Sequence, residues 1–199
     1  MKKKFKKVYQ FKVTLKGTRP PVWRRIQVPE SYTFWDLHVA IQDAMGWLDY
    51  HLHVFEIMNP STGMKEEIGV PDEDFEFDTR IFPGRKRKIA DYFSMDNSKA
   101  NYQYDFGDNW EHTIELEKIV ARAEDVEYPV CIAGKRSCPP EDCGGTWGYQ
   151  NFLKIIKNPD DEEYGEMLEW VGGKFDPEDF DINDVRFDDP DKRWETAFG

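Results

Sequence analysis

Long apolar runs are missing from this sequence. Nothing approaches the ~20 consecutive apolar residues that a helical membrane span needs, and a transmembrane helix is excluded. Cysteine is scarce, with three in 199 residues. An odd count in a chain long enough to fold without cross-links leads us to expect a reducing, cytoplasmic setting. Positive charge is in deficit, with 27 Lys plus Arg against 39 Asp plus Glu and a formal charge of −12. Nonspecific nucleic-acid binding rests on Lys and Arg neutralising phosphates, so the chain as a whole is not expected to hold DNA in that way. Aliphatic content is low too: hydrophobic residues make up 39%, below the roughly 45–50% of an ordinary soluble domain. Aromatic residues compensate at 15%, since each large ring buries on the order of 150–250 Å². A packed core is therefore expected and a wholly disordered chain is excluded.

The charge is unevenly spread. Residues 2–7 and 85–88 are basic, and most of the surplus acid lies beyond Lys157. Residues 9–16 alternate apolar and polar, so no continuous apolar stretch follows the first lysines and a secretory signal is not expected. The length suits one domain. We read residues 1–7 as a basic N-terminal extension and residues 8–199 as a single domain with an acidic C-terminal tail.

Period-two alternation marks residues 8–15 as a half-buried strand, with Tyr9, Phe11, Val13 and Leu15 on one face. After the Gly17–Pro21 turn, residues 22–28 return as a second strand with Val22, Ile26 and Val28 inward. Arg24 falls on that same face, at an edge or against a carboxylate. Thr33 is placed to cap a helix over residues 34–45, and Gly46 to stop it. Strands follow at 51–58 and 64–68, an acidic loop at 72–78, and a short helix at 88–93. Strands at 101–106 and 110–120 flank the Gly107–Asn109 turn, and Trp110, His112, Ile114 and Leu116 share one face. Residues 130–148 are rich in Cys, Pro and Gly and read as a structured loop. Helices are predicted from Thr146 to Ile156, from Pro159 to about Val171, and after Pro190. Strands first and helices after predict an α+β fold: a mostly antiparallel, roll-like sheet with helices packed on one face.

Five segments resemble the plasmid pRiA4b ORF-3-like family. They are Pro21-Val22-Trp23-Arg24-Arg25; Asp36-Leu37-His38 with Gly46-Trp47; His51-Leu52-His53-Val54-Phe55; the stretch from Tyr104 to His112; and Cys138 to Gly145 leading to Gly148-Tyr149. The resemblance spans about residues 8–185. It implies an α+β roll and little about activity. Some relatives carry a resolvase-like label from a mobile element, and some family domains are joined to DNA-binding segments. A serine resolvase needs a nucleophilic serine among arginines; here Ser94 and Ser98 lie near acids, so that activity is not expected.

Three constellations are candidates for chemistry. Cys131, Cys138 and Cys143 fall one short of the four ligands usual for structural zinc. Zinc is the metal such a cluster would take, with His51, His53 or His112 completing it; the alternatives are free thiols in a rigid loop and a Cys138–Cys143 redox pair. His51 and His53, two apart on a predicted strand, would point to one face, where local hydrogen bonding is the ordinary reading. Asp105 and Asp108 flank a tight turn, where ordinary turn chemistry suffices; a catalytic reading would pair them with Arg24 or His112 in a polar pocket. The leading functional expectation is a non-enzymatic interaction domain with an unknown protein partner and no required cofactor. A metal-binding domain or metal-dependent enzyme, and a specific nucleic-acid binder acting through the two basic runs, are the alternatives.

Overall fold

The computed structural model describes residues 5–71 and 81–199. The acidic loop predicted at 72–78 lies outside them, as do the first four residues of the basic extension.

Alternation in the first segment becomes strand β1 (Lys7–Leu15), which pairs antiparallel with β2 (Trp23–Pro29). Helix α1 (Phe34–Met45) starts and stops where its sequence dictates. The Thr33 hydroxyl accepts from the Asp36 N–H while the Asp36 carboxylate accepts from the Thr33 N–H, satisfying two donors that the helix start leaves free. Gly46 ends it in the left-handed conformation at φ 93°. Strands β3 (His53–Met58), β4 (Lys65–Gly69) and β5 (Ile81–Pro83) follow, with β4 and β5 parallel. A 3-10 turn at Ile89–Asp91 stands where the short helix was predicted. Strands β6 (Lys99–Tyr104) and β7 (Trp110–Ala121) form the central hairpin.

The eight strands of the described residues, the last being β8 (Val130–Lys135), join one sheet in the order β5-β4-β3-β6-β7-β1-β2-β8, antiparallel except at β4–β5. Long β7 pairs with both β6 and β1 and so joins the halves. The helix α1 packs on the sheet, and ten of its twelve residues are buried. Phe34, Leu37 and Ile41 meet Phe11, Val13, Ile26, Phe55 and Ile114 in the core, each large aliphatic or aromatic side chain contributing about 1.5–3 kcal/mol by leaving water. The α+β class and the mostly antiparallel sheet are as the sequence predicted.

Three readings need correction. Residues 130–148 are not all loop: β8 (Val130–Lys135) adds an eighth strand against β2. Only Cys131 of its side chains is buried, and an edge strand in which Ile132 is bulged between successive pairs to β2 leaves no period-two signature. The following helix α2 (Gly145–Ile155) is not capped by Thr146; Gly144 is its N-cap, in the left-handed region at φ 84°. Helix α3 (Tyr164–Trp170) is shorter than predicted. Ahead of it, the Asn158 and Asp161 side chains accept from the N–H groups of Asp160 and Glu163, making turns where helix was expected.

The C-terminal part is fastened to the sheet rather than trailing from it. Arg136 and Ser137 donate to carbonyls at Asp176, Pro177 and Asp179, Phe180 packs onto Gly134, and the 3-10 turn Ile182–Asp184 lies against β8. Helix α4 (Pro190–Phe198) then docks on α1. Trp35 donates its indole N–H to the Pro190 carbonyl and meets Trp194 edge-on at 5.0 Å.

Candidate functional site

Three connections meet at one end of the sheet: residues 46–52 between α1 and β3, residues 105–109 between β6 and β7, and residues 136–144 between β8 and α2. They are tied by named bonds. The Asp105 N–H donates to the Leu52 carbonyl, the Trp47 indole to the Pro139 carbonyl, and the Leu48 N–H to Glu141. The Tyr104 hydroxyl also donates to Glu141, and the Gly144 N–H to Asp108. Gly145 sits so close to the Asp108 carbonyl that a Cβ would lie 2.3 Å from it, and its φ of +66° favours glycine besides. Burial pushes the Glu141 carboxyl and the Tyr104 hydroxyl upward in pKa, and the phenol remains the donor to the Glu141 carboxyl group.

At the centre of this end, His51 Nε2 stands 2.9 Å from Asp142 Oδ1 and 3.6 Å from Asp105 Oδ2. Asp105 occupies the left-handed region at φ 54°, a conformation that Asp and Asn tolerate better than most residues. Its Oδ1 accepts from the Gly107 and Asp108 N–H groups, which fixes the turn and aims Oδ2 toward His51. One ligand atom from each of His51, Asp105 and Asp142 falls within 4.8 Å of the others.

The remaining sequence candidates go elsewhere. His53 opens β3 and stacks on His38 inside the protein, away from His51. His112 is fully buried against Trp47 and Tyr102, and neither of its ring nitrogens makes a well-formed hydrogen bond among the described residues; burial lowers its pKa to about 3, with the Tyr102 and Trp110 backbones acting against that shift. Asp108 serves Gly144. The three thiols are free, and burial raises the pKa of each, Cys143 to about 12. Where they donate, they donate to the Ala133 and Gly145 carbonyls. Among the described residues no thiol joins the group of close-set ligands that His51 heads.

Arg24 is only 1% exposed and has neither of the surroundings its position suggested, edge or carboxylate. Its Nε donates to the Ala44 carbonyl in the last turn of α1, and Nη1 to the Trp23 and Lys135 carbonyls. Phe180 covers the guanidinium at 3.8 Å. The negative end of a helix and three carbonyl oxygens stand in for the anion. In the second basic run, Arg85 pairs with Asp191 and lies over Trp194, and Arg87 lies over Phe82.

A second polar cluster is buried under α4, and the sequence reading passed over it. Gln42 donates to the Tyr102 hydroxyl, which lies 2.8 Å from His38 Nδ1, and His38 Nε2 lies 2.8 Å from Asp49. Because the hydroxyl already accepts from Gln42, its proton points to Nδ1, and the His38 proton sits on Nε2 facing Asp49. Arg193 of α4 reaches Asp43, Asp188 and Asp49 at 2.6, 2.6 and 3.7 Å. His38 and Gln42, one turn apart on the buried side of α1, were the available signal. For Asp142 the signal was its place beside Cys143 in a segment carrying the resemblance.

The family model described as plasmid pRiA4b ORF-3-like protein matches residues 7–184. The chain belongs to that family. Similarity extends to the uncharacterized protein y4hQ of Sinorhizobium fredii, 37% identical over 165 residues, covering 83% of this chain and 81% of that one. Among solved structures, it is similar to a protein of unknown function, MM3350, from Methanosarcina mazei Go1. That structure is 52% identical with a TM-score of 0.86, over 92% of this chain and all of the other. The pRiA4b ORF-3-like match ends at residue 184, so α4 and its Arg193 lie beyond it. No helix among the described residues is long and apolar enough to cross a membrane.

Proposed function

We propose that the protein is a non-enzymatic interaction domain that grips a basic, apolar-bearing segment of a partner protein at the loop end of its sheet. The observation that carries this reading is the company of side chains there. Leu48, Tyr50, Leu52 and Phe106 are exposed on connections that also bring Asp105, Asp108, Glu141 and Asp142 together. Trp147, 80% exposed, stands in the first turn of α2 just beyond them. Clustered exposed apolar groups favour association, and carboxylates among them on a chain of charge −12 favour a cationic partner. Thiols held protonated and bonded to carbonyls support a binding role over nucleophilic chemistry. The acidic surplus speaks against duplex DNA as that partner. The family's plasmid-derived description supports placing the partner in plasmid or mobile-element biology, and the low cysteine count supports a cytoplasmic setting.

Selection from a random peptide library tests the proposal. Peptides rich in Lys and Arg with Leu, Ile or Phe are expected to emerge. The Tyr50→Ala, Phe106→Ala double variant is expected to bind them about tenfold more weakly or worse, with its thermal midpoint unmoved because both side chains are exposed. Failure to select any peptide, or equal binding by the variant, would overturn the reading.

A further inference from the structure

We propose that His51, Asp105 and Asp142 form a binding site for a first-row divalent transition-metal cation, with Mn²⁺ and Zn²⁺ as its chemical type.

The spacing is the first support. Bonds of about 2.1 Å to nitrogen and oxygen set neighbouring ligands about 3.0 Å apart in an octahedron and about 3.4 Å apart in a tetrahedron. His51 Nε2 is 2.9 Å from Asp142 Oδ1 and 3.6 Å from Asp105 Oδ2, which brackets both values. One ion can therefore touch all three atoms with small side-chain adjustments.

The state of Asp105 is the second support. Its side chain is only 8% exposed, yet Oδ2 receives no hydrogen bond among the described residues. Its sibling Oδ1 is committed to two backbone N–H groups. A carboxylate oxygen on a largely enclosed side chain, with the His51 ring 3.6 Å away, is open to a ligand, and a cation between the two would bind both. The bonds to Oδ1 would also hold the ligand in orientation, the usual task of groups behind a metal ligand. Asp142, 65% exposed on its side chain, leaves the opposite side open for water to complete the coordination.

The donor set narrows the ion. One imidazole nitrogen with two carboxylates suits Mn²⁺, Fe²⁺, Co²⁺ or Zn²⁺. Ca²⁺ and Mg²⁺ prefer oxygen alone. The thiols are not part of this site, so a metal bound here is distinct from a cysteine-held zinc.

Calorimetric titration of the full chain, stripped with chelator and then dialysed, tests the site. Mn²⁺ is the probe, because thiols compete poorly for it. One equivalent is expected to bind, and affinity is expected to fall at least about tenfold in Asp105→Asn and in Asp142→Asn. Both substitutions keep a residue that tolerates φ near +55°, and Asp105→Asn keeps an oxygen able to accept the turn's N–H groups, so the metal-free variants should melt with the parent. His51→Ala supplies an independent arm that leaves both turns untouched. Substoichiometric or absent Mn²⁺ binding by the parent, or unchanged affinity in all three variants, would overturn the proposal.

Discussion

The imidazole rings of His38 and His53 are stacked, with centroids 3.5 Å apart and planes tilted by 8°. Both are fully enclosed, and burial lowers both pKa values well below the usual imidazole range; Arg193 adds to the lowering at His38, and His38 adds to it at His53. At that separation two imidazolium charges would repel by about 5 kcal/mol even at an effective dielectric of about 20. The native fold therefore requires this pair to be neutral.

A pH dependence follows, and its sign is definite. His38, His53 and His112 have folded-state pKa values below the ordinary 6.5. The stability that comes from keeping them neutral is complete above about pH 6.5 and is lost as pH falls toward the folded values, by up to about 1.4 kcal/mol per pH unit for each imidazole. Asp49, Asp43 and Glu141 work the other way: burial raises their carboxyls, that of Asp49 from 3.8 to about 6, so protonation there favours the fold in the acid range. The imidazoles act first as pH falls, because their loss starts at the unfolded value of about 6.5. Urea unfolding from pH 8 to pH 5 should show stability falling from about pH 6.5, with His53→Gln losing less. A flat profile in the parent would contradict the assignment.

Replacing His112 should not weaken the protein at pH 7.5. Its two ring nitrogens are buried without a well-formed hydrogen bond among the described residues, and a buried polar group so poorly served costs about 1–3 kcal/mol. Leucine is close in volume and fits the apolar stripe with Trp110 and Ile114. His112→Leu is expected to unfold at equal or higher urea concentration than the parent, and to lose part of the acid sensitivity described above. A loss of more than about 2 kcal/mol would instead mean that ordered water serves those nitrogens.

Arg24→Lys should be severe although it conserves charge. The guanidinium reaches three carbonyls in two directions and lies flat under Phe180; an ammonium on a flexible stem matches neither feature. Loss of one or two charge-assisted bonds to buried carbonyls should cost about 2–4 kcal/mol, read as a lower urea midpoint. A midpoint equal to the parent's would show that the fork geometry is dispensable.

The layered part of this fold was legible because local and global preferences agree there. Residues 8–15 and 110–120 alternate cleanly, and Thr33, Asp36 and Gly46 bracket a helix by side-chain and backbone chemistry that acts within a few positions. Strand β8 was not legible, because an edge strand is defined by main-chain pairing to β2, and its own side chains are mostly half-exposed. The candidate site divides the same way. His51 and Asp105 stood out by residue type. Their meeting with Asp142, and the departure of His53 toward His38, depend on contacts between residues far apart in sequence. The role of Arg24 was hidden for a related reason: its acceptors are backbone carbonyls, which no residue type announces.

Phe180 packs on the face of β8 at Gly134, and the turn at Ile182–Asp184 lies beside this strand, the last in the sheet among the described residues. An open strand flank is a template for pairing with other chains, and charge placed beside it is a common deterrent. Asp176, Glu178, Asp179, Asp181 and Asp184 accompany those covering residues. These charges are expected to discourage self-association, and a chain shortened before Phe175 is expected to aggregate more readily than the parent.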